Sequence, residues 1–342
     1  MKVLKIIGRV LITLGVTIAG LLILCVVAIY ILEKGPSESA KAIFVHSVNE
    51  TSRMGFVSTM FLSQEEVDKI MNTGGIIETG EDRKTNTDLI DTSDIKEEDK
   101  ADITFEQVSG KYLNGYLLTI RDPSRVFCGT IPEFGRFQGM TIIDMIDTYN
   151  ANGDHVLGGV NGGDFIDSGT NNSFTANPLG LVISEGEIVY AEDGNDATYK
   201  ITGFTKDNKL FLGYMTANEA IEYGIRDCMY SAQLTGPFLV MDGEPLIEEI
   251  PDTSNYGSGK NPRTAIGQKA DGSILLLVVD GRKGSSLGAT FEDLALFMRD
   301  AGAINAAAMD GGTSSQMVYE GELKNKPYSI VPRKCPTGWL FR

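Results

Sequence analysis

AAAMDGGTSSQM (residues 306–317) decides the fold more than any other stretch of the chain. Small apolar residues run into an acid, two glycines and three hydroxyls, so the apolar run reads as a strand that gives way to a turn at Gly311-Gly312. The same arrangement recurs in VNGGDF (160–165) and VVDGR (278–282), where a polar residue or acid stands at the point where an apolar strand meets glycine. Strand ends of this type suit chemistry, because a rigid strand fixes the side chain and glycine lets a ligand approach the backbone. A turn needs only the glycines, and Asp310, Thr313, Ser314 and Ser315 ask for a further reason.

Outward from these turns, ITFEQVSG (103–110), YLLTIRDPSRVFCGT (116–130), GLVISEGEIVYAE (180–192) and ILLLVVDGR (274–282) have the apolar character of strands bounded by turn residues. Helices are announced by the spacing of Ile142, Met145, Ile146 and Tyr149. Two more follow the cap pairs Thr216 with Glu219 and Thr290 with Asp293. Strands outnumber helices without regular alternation, which predicts an α+β fold with a mixed, largely antiparallel sheet core and packed helices.

The first 34 residues form a separate object. Lys2, Lys5 and Arg9 precede an uncharged apolar run from Val10 to Leu32, about 34 Å long as a helix and enough to cross a bilayer. We expect residues 1–34 to be a single transmembrane anchor with the N-terminus inside and the remainder outside. Residues 35–102 read as a helical stalk, with Ser63 and Glu66 as a helix start, followed by an acidic solvated linker from Thr79 to Asp102. The folded domain is expected over residues 103–342.

A net charge of −16 over 342 residues argues against nucleic acid as a partner. An anionic ligand would need a local cationic site, which salt screening over roughly 8 Å permits despite the global sign. Only two histidines occur, His46 and His155, and GGTSSQM departs from the nucleophile elbow of a serine hydrolase because Gln316 stands where a glycine belongs. Neither glycine-rich nucleotide motif is present at a strand-to-helix turn, and EDGNDAT (192–198) reads as an ordinary turn, so no cofactor and no metal are expected. Of the four cysteines, Cys25 lies in the anchor; Cys128, Cys228 and Cys335 allow at most one disulfide, whose pairing stays open.

Carboxylates, arginines and glycine turns remain. Asp164, Asp280 and Asp310 have the chemistry of acid, base or nucleophile for glycosyl transfer. Arg263 and Arg282 have the forked donors to hold an oxyanion, and the amides at Gly162-Gly163 and Gly311-Gly312 are further donors for it.

Taken in order, VNGGDF, NPLGLVISEGEIV (177–189), GPFLVMDGE (236–244), NPRTAIGQKADGSILLLVVDGR (261–282) and INAAAMDGGTSSQMVYEGEL (304–323) resemble the blocks of the phosphodiester glycosidase family, from about Tyr112 to the C-terminus. The resemblance implies hydrolysis of a sugar-1-phosphodiester at the C1–O bond. By the same resemblance, Asn161, Gly162 and Gly163 match the family's Asn-Gly-Gly turn, and Arg263 and Gly267 match its Arg-Thr-Ala-Ile-Gly block. Asp280 with Gly281 matches a strand end, and Asp310, Gly311, Gly312 and Ser314 match the final turn. Asp164 stands where the family commonly has an aromatic residue, and Thr313 where it often has glycine. Asp310, Asp280 and Arg263 are thus the expected catalytic groups. Asn161, Gly162, Gly163, Asp164, Arg282, Gly311, Gly312, Thr313 and Ser314 are the expected substrate contacts. The expected partners are a phosphodiester-linked sugar, as in a bacterial surface or wall polysaccharide, and the membrane. A second reading is a carbohydrate-binding or scaffolding protein of an envelope polysaccharide assembly that keeps the fold without turnover.

Overall fold

The computed structural model describes residues 2–49, 54–71, 75–110, 113–135, 138–166, 175–230, 237–248, 259–283, 286–329 and 331–342. Tyr112 and Gly236, which belong to the stretches of family resemblance, lie outside them. The chain divides into two compact units, residues 1–73 with 251–259 and residues 74–250 with 260–342.

The first unit holds α1 (Lys2–Lys34), α2 (Glu38–Asn49) and α3 (Gln64–Met71). α1 is long and apolar enough to cross a membrane. At the start of α3, the Ser63 hydroxyl accepts from the Glu66 amide at 3.2 Å while Glu66 Oε2 accepts from the Ser63 amide at 2.8 Å, the reciprocal cap its sequence announced.

The second unit is built on strands in three sheets. In chain order they are β1 (Ile103–Ser109), β2 (Asn114–Ile120), β3 (Val126–Thr130), β4 (Gly158–Asn161), β5 (Leu181–Ser184) and β6 (Glu187–Ala191). Then come β7 (Thr198–Thr205), β8 (Leu210–Thr216), β9 (Ile225–Tyr230), β10 (Phe238–Met241), β11 (Glu244–Pro245) and β12 (Arg263–Lys269). β13 (Ile274–Val279), β14 (Ala303–Met309), β15 (Met317–Tyr319), β16 (Glu322–Leu323) and β17 (Thr337–Phe341) complete the set among the described residues. The sheets run β1-β2-β13-β12-β14-β10-β11, β16-β15-β4-β17-β3 and β6-β5-β9-β7-β8. Neighbouring strands pair antiparallel throughout, in keeping with the α+β expectation.

β13 shows why its sequence is apolar without alternation. Ile274, Leu276 and Val278 face the core shared with the other sheets, while Leu275, Leu277 and Val279 face α6 (Phe291–Asp300), so both faces are buried. β14 is sandwiched in the same way, with Ala306 and Ala308 toward the helix layer and Ala307 and Met309 toward the core. The single tryptophan ties the three sheets together. Trp339 on β17 is fully buried, meets Phe204 of β7 edge-on at 5.3 Å, and donates from Nε1 to the Met309 sulfur of β14 at 3.1 Å.

The helices read from spacing and caps form where expected. α4 (Ile142–Ala151) buries Ile142, Met145 and Ile146. α5 (Ala217–Tyr223) and α6 both begin with a complete capping box. One boundary differs. The compact second unit begins at Gly74, ahead of the expected start near Ile103, because the acidic stretch is laid along the sheets. The Ile77 amide donates to the Leu246 carbonyl at 2.9 Å, the Thr85 amide to Leu212 at 3.0 Å and the Asp91 amide to Ala270 at 2.8 Å. Ile90 is 1% exposed, and buried Lys200 pairs with Glu78 at 2.9 Å. A few well-spaced anchors and backbone hydrogen bonds hold a segment whose composition is that of a tether. All four cysteines are free, and the three of the second unit are buried.

Candidate active site

The Asn161-Gly162-Gly163 turn is where the sheets join. The Asp310 amide donates to the Gly162 carbonyl at 3.1 Å, the Gly162 amide to the Thr337 carbonyl at 3.0 Å, and the Gly163 amide to the Met229 sulfur at 3.3 Å. A side chain at Gly162 would place its Cβ 2.5 Å from both Met229 Sδ and Thr337 Oγ1, and one at Gly163 would meet the Tyr230 carbonyl at 2.8 Å. Close packing thus explains both glycines, and their amides are engaged within the protein rather than offered to a ligand. The same holds for Gly312, whose amide donates to the Pro262 carbonyl at 2.8 Å and whose φ of +62° suits glycine.

Asn161 is completely buried and acts as a hub. Its Nδ2 donates to the Asp310 carbonyl at 2.6 Å, and its Oδ1 accepts from Thr264 Oγ1 at 2.7 Å and from the Gln316 amide at 3.1 Å. With both ends of its amide bound to the protein, it positions the 310 turn instead of contacting a substrate. Gln316 plays the same part beneath the turn, donating to the Ser314 and Arg333 carbonyls.

Asp310 and Asp164 are brought together by these two turns. The half-buried Asp310 carboxyl is pushed up from the usual carboxylate range to about 8, first by burial and then by the negative charge of Asp164. The Ser314 hydroxyl, the Arg333 guanidinium and the Gly311 amide oppose that shift without cancelling it. Near neutral pH the site therefore holds a protonated carboxyl beside a second carboxyl group. Tyr230, at the end of β9, closes the Asp164 side. Its phenol is pushed up by burial and then by Asp164, Glu192 and Glu78.

Two arginines stand beside these turns. Arg333 donates from Nη1 to Thr313 Oγ1 at 3.3 Å and lies 5.3 Å from the Phe165 ring, so it spans the two turns that carry the carboxyls. Arg282 sits on the other side of the 311–313 turn. Its guanidinium donates to Asn261 Oδ1 at 2.9 and 3.0 Å, and a Cβ on Gly312 would stand 3.7 Å from Nη2. Arg282 adopts a φ of +56°, a left-handed backbone that redirects the chain leaving β13.

Two expected catalytic groups are tied into the scaffold around the turns. Arg263 is 5% exposed, donates from Nε to the Ala289 carbonyl at 3.2 Å, and stacks 3.7 Å over the Phe291 ring, which fixes the start of α6. Asp280 accepts from Asn325 Nδ2 at 3.1 Å and from the Lys326 amide at 2.9 and 3.1 Å, a backbone clamp on the loop after β16. Arg333 and Tyr230 were missed in sequence. Arg333 belongs to no glycine turn, and Tyr230 ends a strand whose alternation is weak. Among the described residues no cluster of metal-ligating side chains is present.

Residues 154–342 match the family model described as phosphodiester glycosidase. The chain is 39% identical over 131 residues to an uncharacterized SPbeta prophage-derived protein, YomE, of Bacillus subtilis, covering 38% of this chain and 18% of that protein. It is 26% identical over 234 residues to N-acetylglucosamine-1-phosphodiester alpha-N-acetylglucosaminidase of Mus musculus, covering 64% of this chain and 42% of the mouse protein. The chain thus spans less than half the length of these relatives. In fold it is similar to the zebrafish N-acetylglucosamine-1-phosphodiester alpha-N-acetylglucosaminidase catalytic domain auto-inhibited by its pro-peptide. The TM-score is 0.55 at 22% identity, over 70% of this chain and 82% of that one. The matched region contains the Asn161, Asp280 and Asp310 turns and Arg333, and covers more than half of the chain, which belongs to the phosphodiester glycosidase family.

Proposed function

We propose that the chain hydrolyses sugar-1-phosphodiesters at the C1–O bond. The observation that carries this reading is the pairing of Asp310 with Asp164 beside the arginines Arg333 and Arg282. Two carboxyls of one site in different protonation states supply an acid and a base to the same reaction. The ionised member takes a proton from the attacking water as its oxygen bonds to C1. The protonated member gives its proton to the departing phosphate oxygen, which keeps the electron pair of the broken C1–O bond, so the pair ends with one proton as it began. Positive charge developing on the ring in the transition state is met by carboxylate, and charge on the phosphate by guanidinium.

A phosphate already leaves readily, so the absence of a histidine acid at the turn is no obstacle, whereas a fork of donors for phosphate is required. On this reading Arg333 and Arg282 hold the phosphate. Arg263, Asp280 and Asn161 fix the turns around it. The N-acetylglucosamine 1-phosphodiesters named for the mouse and zebrafish proteins are the first substrates to try.

We also propose that α1 anchors the protein with the second unit outside, on the strength of its length and the basic residues Lys5 and Arg9 at its N-terminal end. An outward catalytic unit near the membrane reaches surface or wall glycans, and we assign the substrate to that class. The test is sugar release by the full chain in detergent from a panel of hexose and N-acetylhexosamine 1-phosphodiesters, beside Asp310→Asn. Release by the wild type alone supports the reading. Binding of sugar phosphate by both without release would make the protein a scaffold.

A further inference from the structure

Outside the carboxyl pair, the described residues form a concavity of about 460 Å³ lined by Thr130, Ile131, Glu133, Phe134, Val189 and Tyr190 among others. That volume lies within the range of small-molecule sites, which combine apolar and aromatic walls with a few polar groups. Phe134 and Tyr190 meet edge to face at 5.7 Å, and both rest on the main core, so the aromatic wall is rigid. Val189 is 42% exposed at the rim.

One segment, residues 176–180, links the wall of the concavity to the candidate site. At one end the Gly135 amide, from the wall of the concavity, donates to the Ala176 carbonyl at 3.1 Å. At the other, the Leu179 amide donates to the Asp164 carbonyl at 2.9 Å, and Gly180 lies against the Tyr230 ring. β6 makes the same link. Tyr190 lines the concavity, and Glu192, just past the end of β6, accepts from the Gly180 amide at 2.8 Å. The concavity is therefore tied to the turn that carries Asp164 and to Tyr230.

Its chemistry fits a neutral saccharide. Glu133 is the one charged side chain among the lining residues, which disfavours an anion, while a rigid aromatic wall matches the apolar face of a pyranose. We infer that this concavity is a subsite for a further sugar unit carried by the glycone, so that the substrate is an oligosaccharide or polysaccharide 1-phosphodiester. This rests on the hydrolase reading above.

The experiment compares the full chain in detergent on the methyl phosphodiester of N-acetylglucosamine and on those of its di- and trisaccharides, alongside Val189→Trp, which fills the rim from an exposed position. The expected result is a kcat/KM about tenfold higher for the extended substrates, lost in Val189→Trp, with monosaccharide turnover unchanged. Equal turnover of all three by the wild type, or an undiminished preference in the variant, overturns the inference. If none is hydrolysed, the hydrolase reading fails and calorimetric titration with the neutral trisaccharide decides the subsite. Binding weakened by Val189→Trp and by Tyr190→Ala sustains it, and absent or unaltered binding removes it.

Discussion

Asn161 Nδ2 donates to the Asp310 carbonyl at 2.6 Å, so the residue that ends β4 fixes the backbone of the residue that follows β14. Replacing Asn161 by Ala strips partners from the buried Thr264 hydroxyl, the buried Gln316 backbone amide and the half-buried Asp310 carbonyl. Stranded buried groups of this kind cost about 2–4 kcal/mol together. Urea unfolding should show a lower midpoint with an unchanged slope, and an unaltered midpoint would mean the hub is dispensable.

The raised pKa of Asp310 has a sign that can be read in stability. A carboxyl that titrates near 8 in the folded chain and near 3.8 in the unfolded one favours the folded state fully at acid pH. That contribution is lost as pH rises from about 4 to 8, where folding opposes ionisation. Asp310→Asn removes the dependence, so the variant should gain thermal stability relative to wild type as pH climbs to 9. Parallel melting curves for the two proteins across that range would contradict the burial argument.

The same shift predicts the alkaline limb of activity. If Asp310 is the protonated partner, kcat/KM falls above about pH 8 as its proton is lost. A profile flat to pH 10 would exclude Asp310 as the acid.

The turns were legible because VNGGDF, VVDGR and AMDGG each break an apolar run with glycine, a local signal. What each turn does was not, because it depends on which other strands meet there. Gly162 is glycine on account of Met229 and Thr337, more than sixty and more than one hundred and seventy residues away in sequence. Arg263 and Arg333 are both arginines near a strand end, and only the fold shows that one stacks on Phe291 while the other reaches Thr313. The strap from Gly75 to Asp102 was hidden for a similar reason, since its composition is that of a linker and its partners Leu212, Leu246 and Ala270 lie far along the chain.

Arg333 and Arg263 should therefore separate in mutagenesis. Arg333→Lys loses the fork and should raise KM for a phosphodiester about tenfold while leaving the melting temperature close to wild type. Arg263→Lys gives up a buried stack on Phe291 and should lower stability by about 1–2 kcal/mol, with KM little changed. Steady-state kinetics and melting curves on both variants check this, and the reverse pattern would return the phosphate contact to Arg263.

Gly162→Ala tests the sheet junction itself. Its Cβ would sit 2.5 Å from Met229 Sδ and Thr337 Oγ1, an overpacking expected to cost about 1–3 kcal/mol and to displace the Asp310 amide from the Gly162 carbonyl. Activity should fall with stability, and an alanine accepted without loss would show that the sheets are less tightly joined there.

The most direct measurement is turnover of an N-acetylglucosamine 1-phosphodiester in water enriched in oxygen-18, with mass analysis of both products and with Asp310→Asn in parallel. Cleavage at C1–O places the label in the released sugar, with turnover by the variant reduced at least about a hundredfold. Label in the phosphate, or a variant as active as the wild type, would contradict the assignment of C1 chemistry to the Asp310–Asp164 pair.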